Sequence, residues 1–203
     1  ILNSNLTIET IVKKIKKNPK HKIFLGNIIY FKKVYKKVER YYTATKFHKN
    51  KLKGGFMPPH PGSFIHKDIY RKVGLYNEKF TIAGDFDFFV KCFLIYNIKF
   101  KIMNLITTRM RIGGISTKNI FSNINSSFEI YNSLKGYGIN SSFYKILLRL
   151  PLKLDQYLFL NKKLINQNFS FKIVGYYRNI FCKFNIIKNI NLLKQNQNFV
   201  LSA

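Results

Sequence analysis

An α/β fold is what this 203-residue sequence predicts, on three observations. A β-rich apolar run, IFLGNIIYF, stands among segments whose apolar residues recur at helical spacing. Pro and Gly punctuate the boundaries between those segments. Hydrophobic content of 46%, with 16% aromatic, suits one ordinary globular domain with a sizeable core.

Taken in order, Leu6 to Lys17 reads as a helix, with Ile8, Ile11, Val12 and Ile15 on one face and Pro19 beyond its end. Ser4 or Asn5 stands where an N-cap is expected. Lys22 to Phe31 reads as a buried strand. Lys32 to Lys53 is dense in Lys with no clean period, and predicts a loop holding one weak strand. His66 to Val73 is a short amphipathic helix closed by Gly74, with Asp68 near its positive end. Phe88 to Tyr96 predicts a buried helix, and Lys99 to Arg111 one or two strands at a sheet edge. From Asn119 to Gly136 the spacing is helical again. A further helix, Ser142 to Phe159, carries Lys145, Arg149 and Lys153 as a basic face, and Pro151 should kink or split it.

The chemistry concentrates in Met57 to Phe89, MPPHPGSFIHKDIYRKVGLYNEKFTIAGDFDFF. The chain carries only eight acidic residues against a net charge of +28, yet sets Asp85 and Asp87 two positions apart after Gly84. At a helix start, such residues point about 200° apart around the axis, so they cannot share one paired role. Both are also explained as acids favourable at a helix N-terminus. His60 is held among Pro58, Pro59 and Pro61, which favour an extended path. It is placed either to bond a diphosphate or sugar hydroxyl, or to satisfy a buried backbone group. Gly113 and Gly114 form a turn whose N–H groups can cradle phosphate oxygens, with Arg111 adding charge. Ser116 or Thr117 as the cap of the next helix fits the same turn.

Four pieces in this order, namely His60 with Ser63-Phe64, Gly74-Leu75-Tyr76-Asn77-Glu78, Gly84-Asp85-Phe86-Asp87, and Met110 to Ser116, resemble the acceptor-side half of family 2 glycosyltransferases. The resemblance covers roughly residues 1 to 135. It implies part of a GT-A, Rossmann-like domain, followed from residue 136 to 203 by basic C-terminal helices. It implies inverting sugar transfer from a nucleotide-sugar donor to a glycan or lipid-linked acceptor, in cell-surface polysaccharide synthesis. Asp85 matches the catalytic base, while Asp87, His60, Arg111, Gly113 and Gly114 fall at substrate-binding positions. The family also uses a divalent cation, Mg or Mn, held by an acidic pair. Here Leu2-Asn3-Ser4 matches the preceding residues, but Asn5 and Leu6 replace the acids. The resemblance further implies an N-terminally truncated chain whose nucleotide-binding half would precede residue 1.

An alternative expectation is a catalytically inactive remnant or a basic, membrane-associated interaction module. The 36 Lys and Arg residues suit an anionic membrane surface, although even Lys enrichment is also how composition drifts when DNA is AT-rich. No helix-turn-helix, zinc or RNP motif is present, so no specific nucleic acid is expected. Cys92 and Cys182 lie far apart and predict free thiols in a reducing compartment. No run is long and apolar enough for a transmembrane helix. Together these predict a cytoplasmic protein, peripheral at the inner face of the cytoplasmic membrane.

Overall fold

The computed structural model describes residues 2–4, 6–31, 38–112, 120–152 and 199–201. It is a mixed α/β fold built on a five-stranded sheet. The central strand, β1 (Ile23–Phe31), is the IFLGNIIYF run. Strand β4 (Phe100–Arg111) lies parallel along the whole of one side of it. Two strands share its other side: β2 (Val38–Tyr42) pairs antiparallel with residues 28–31, and β3 (Ser63–His66) antiparallel with residues 23–25. β5 (Phe199–Leu201) extends the sheet beyond β3.

Side chains alternate across a strand, and β1 is covered on both faces. Ile23 and Leu25 point into the main core, while Phe24 points the other way, into a cluster with Phe64, Met103 and Ile11. Ile11 comes from α1 (Thr7–Lys16), so α1 covers one face of the sheet. The other face is covered by α2 (Lys67–Val73), α3 (Gly84–Val90), α4 (Ile120–Gly136) and α5 (Phe143–Leu147). Phe86, Phe88, Phe89 and Phe93 are fully buried there, each worth about 1.5–3 kcal/mol of apolar burial. Ile146 of α5 belongs to this core with Ile130 and Leu134 of α4, so the core runs across residue 135 without a break.

One element differs from its sequence-based expectation, the helix after Asp85, and two others take a form the sequence allowed. Lys99 to Arg111 forms a single strand, and its pairing with β1 shifts register between Leu25 and Ile28. Asn104, at φ 49°, takes the left-handed conformation that lets the extra residues bulge out. The bulge breaks strict alternation, which is why the sequence pattern is loose there. The buried helix after Asp85 starts at Gly84 and changes at Lys91 to a π-helical turn over Lys91–Ile95, where the Tyr96 N–H donates to the Lys91 carbonyl. The helix expected over 142–159 is split in its described part, up to residue 152, as expected of Pro151; residues 153–159 lie outside the described residues. α5 ends at Leu147, and α6 (Arg149–Leu152) contains Pro151, whose missing N–H would have met the Leu147 carbonyl.

The N-cap of α1 is Leu6, with no side-chain cap bond, rather than Ser4 or Asn5, although Ser4 lies against the start of the helix. The Ser4 N–H donates to Thr7 Oγ1 at 2.8 Å and its carbonyl accepts from the Thr7 N–H. Asn5 lies outside the described residues, as do Gly113, Gly114, Ser116, Thr117, Cys182 and most of the C-terminal stretch. Cys92 is a buried free thiol, and burial pushes its pKa up to about 12. Among the described residues, no helix is long and apolar enough to cross a membrane.

Candidate functional site

The proline-flanked histidine is the first part of the site to be fixed. Prolines donate no N–H, so the turn is anchored through its carbonyls. Ser63 Oγ donates to the Pro59 carbonyl at 3.0 Å, Thr108 Oγ1 to Pro61 at 2.8 Å and Thr107 Oγ1 to Gly62 at 3.1 Å. Residues His60–Gly62 form one 3-10 turn pressed against β1 and β4. A Cβ on Gly26 would lie 2.4 Å from Thr107 Cγ2 and 2.8 Å from the Gly62 carbonyl, so only glycine allows this approach. Asn27, to which the sequence reading gave no role, is buried beside it. Its Oδ1 accepts from the Ala44 N–H at 2.8 Å and the Thr43 hydroxyl at 3.1 Å, tying the loop after β2 to β1.

His60 is only 5% exposed. Its ring meets Tyr76 and Phe89 edge-on, each with centroids 5.7 Å away. Nε2 lies 2.9 Å from the Tyr76 hydroxyl, which lies 3.3 Å from the Tyr70 hydroxyl. Nδ1 is 3.9 Å from Asp85 Oδ2. Burial pushes the imidazole down to about 4, so at neutral pH it is uncharged and its approach to Asp85 is not an ion pair.

The acid cluster is carried by α3 and by the loop leading into it. Glu129 of α4 holds that loop. Its carboxylate accepts from the backbone N–H groups of Thr81 at 3.1 Å, Ile82 at 2.8 Å and Ala83 at 2.7 Å. Asp85 follows, in the first turn of α3, with its side chain 29% exposed and Oδ1 accepting from the Phe86 N–H at 2.7 Å. Asp87 faces the opposite way. Its side chain is 1% exposed, with Oδ1 accepting from Ser133 Oγ at 2.8 Å and Oδ2 from the Tyr137 hydroxyl at 3.3 Å. It joins α3 to the end of α4. The expected part of Asp87 in substrate binding does not match this inward position, which follows from the helical rotation between the two acids.

Asp85 has further charged and phenolic neighbours. Burial raises the Tyr42 and Tyr76 phenols well above the ordinary range, and the negative charge of Asp85 adds to both shifts. Tyr42 is oriented by donating to the Met57 carbonyl. Arg149 of α6 is the counterweight, 4% exposed. Burial pushes its guanidinium down to about 10, against the attraction of Tyr42 and Asp85. It donates to Ser126 Oγ at 3.0 Å, to Ser127 Oγ at 3.3 Å and to the Gly55 carbonyl at 3.4 Å. The sequence reading placed Arg149 on the basic face of its helix with Lys145 and Lys153. The structure corrects this, because Arg149 sits one turn from Ile146 on the buried face. That spacing was the available signal.

Arg111 is exposed at the end of β4, opposite Phe31 and three residues past the Thr108 that anchors the His60 turn. Gly113 and Gly114 follow it, outside the described residues. His66 is half-buried and caps α2, its Nδ1 accepting from the Asp68 N–H at 3.3 Å.

The residues at the expected cation position do not fit a hard divalent ion. Leu6 offers hydrocarbon, 63% exposed, and among the described residues no three His, Cys, Asp or Glu side chains gather as ligands. Asn3 brings a lone amide oxygen, buried and without a hydrogen-bond partner. Compared with known proteins, the chain matches no family model, no curated protein and no solved structure.

Proposed function

We propose that this chain is the acceptor-side part of an inverting GT-A glycosyltransferase. It would transfer sugar from a nucleotide-sugar donor to a glycan or lipid-linked acceptor of a cell-surface polysaccharide. The observation that supports this reading is the position of Asp85. It is a half-buried carboxylate in the first turn of α3, with His60 beside it and a loop fixed by Glu129 before it. In the reaction, the acceptor O–H bond breaks and its proton passes to Asp85. The acceptor oxygen forms a bond to the anomeric carbon from the face opposite the leaving group. The bond from that carbon to the diphosphate breaks, and its electron pair stays on the diphosphate. Arg111, exposed at the end of β4, supplies a cation on the donor side. The working place is the inner face of the cytoplasmic membrane, where a lipid-linked acceptor and an anionic surface would meet the basic chain.

A second reading, a catalytically inactive remnant without a working donor site, is favoured by one observation. Exposed Leu6 stands where the family resemblance expects an acid. Thermal unfolding of the chain with a panel of nucleoside diphosphates and nucleotide sugars, with and without Mn²⁺, separates the two. A ligand at about 100 times its Kd stabilises the folded state by about 2.7 kcal/mol. Stabilisation by one nucleotide class is the expected outcome and names the donor. A cooperative transition unmoved by every member of the panel overturns transfer by this chain and leaves the remnant.

A further inference from the structure

We propose that Tyr76 is a positioning residue that keeps the single imidazole proton of His60 on Nδ1, turned toward the carboxylate of Asp85. The inference deepens the reading of Asp85 as base, but its structural part stands without it. A neutral imidazole has one N–H and one lone pair. If Nε2 carried the proton, the Nδ1 lone pair would face the Asp85 carboxylate oxygen 3.9 Å away, two electron-rich groups opposed in a half-buried setting. With the proton on Nδ1, an N–H dipole faces that oxygen instead.

The other nitrogen then needs a donor, and Tyr76 supplies it from 2.9 Å. Tyr76 is suited to donate because burial keeps its phenol protonated and the Tyr70 hydroxyl, 3.3 Å away, can donate to its oxygen in turn. The chain therefore runs in one direction, from Tyr70 to Tyr76 to His60 to Asp85. Packing holds each ring in place: Tyr70 stacks on Phe88 at 5.0 Å, Tyr76 lies against the same ring, and Phe89 meets the His60 ring edge-on. No proton moves along this chain during transfer. It presents a fixed dipole to a carboxylate that must stay ionised until the acceptor arrives.

The tautomer is read directly from imidazole ¹⁵N shifts of the labelled full chain at neutral pH, with the His60 signals assigned by their loss in His60→Gln. Expected in the unaltered protein are a pyrrole-type Nδ1 and a pyridine-type Nε2 shifted by an accepted hydrogen bond. In Tyr76→Phe, which keeps the ring, Nε2 loses its donor and takes on pyrrole-type character as the proton leaves Nδ1; an Nε2 that stays pyridine-type there overturns the role of Tyr76. A pyrrole-type Nε2 in the unaltered protein overturns the proposal.

The kinetic arm uses the same substitution. A kcat about tenfold lower at unchanged KM is expected, the rate equivalent of one hydrogen bond. The acid limb of the kcat/KM profile should move to higher pH as the dipole is lost. Among the described residues, titratable groups facing Asp85 include Tyr42 of β2 and Arg149 of α6, with Tyr70 behind Tyr76. None of these is altered by the substitution. An unmoved acid limb, with transfer intact, overturns the positioning role. Normal transfer by Asp85→Asn with the Nδ1–H tautomer present would sink the base assignment alone.

Discussion

Asp85 and Asp87 share a helix turn and a residue type, and are separated by one phenylalanine. Asp85 stays 29% exposed and looks toward neutral His60, while Asp87 is 1% exposed and spends both oxygens on Ser133 and Tyr137. Rotation around the helix axis puts one carboxylate on the rim and the other inside. A pair of acids on a helix two residues apart is thus better read as two jobs than as a dyad. The rim acid keeps part of its surface toward solvent, and the inner acid fastens α3 to α4 so that the rim holds its shape.

Substitutions can break that division. Asp85→Asn keeps the oxygen that accepts the Phe86 N–H but cannot take a proton, so transfer should fall by about 10²–10⁴-fold with the unfolding midpoint unchanged. Full activity in that variant would remove Asp85 as base. Asp87→Ala should do the reverse. It leaves the buried Ser133 hydroxyl and the Tyr137 hydroxyl without their shared acceptor, at a cost of about 3–5 kcal/mol or roughly 10 °C in Tm. A normal Tm with an impaired KM for acceptor would return Asp87 to substrate binding.

The buried histidine separates the two faces by pH. Its pKa falls from an ordinary 6.5 to about 4 in the folded protein. Between those values the unfolded chain binds more protons, so stability is full above pH 6.5 and declines as pH falls toward 4, by about 3 kcal/mol in all. His60→Gln should flatten that part of the stability–pH curve. If the slope between pH 6.5 and 4 is identical in both proteins, the imidazole is not held neutral by burial.

Much of this architecture was legible because local pattern and tertiary environment agree. β1 reads as a doubly buried strand since it lies at the centre of the sheet, and α2 reads from its amphipathic spacing and Gly74. Helix geometry told that the two acids diverge but not which of them turns inward, and Asp87 was expected at the substrate instead. What escaped notice depends on distant partners. Asn27 matters because Thr43 and Ala44 return to it, and Arg149 because Gly55, Ser126 and Ser127 surround it. Neither set of partners leaves a mark in the local sequence, though the spacing of Arg149 from Ile146 was a sign that it is buried. The π-turn over Lys91–Ile95 is equally silent, since it inserts no Pro or Gly to announce itself.

Glu129 is the subtlest of these distant contacts, and it links the two faces of α3. Its carboxylate collects three N–H groups from the loop at 81–83, the segment that delivers Asp85 to the rim. Four residues further along the same helix, Ser133 holds Asp87. One turn of α4 therefore fixes both acids, one through the backbone before it and one through its side chain. Glu129→Gln keeps one carbonyl oxygen and loses the charge, so some of the three bonds weaken without a cavity being formed. The expected stability loss is about 1–2 kcal/mol. Amide exchange should quicken at Thr81, Ile82 and Ala83, and not at Ser133 or Tyr137. Faster exchange at both sets would mean that α4 moves as a whole, and that the rim and the interior are not held independently.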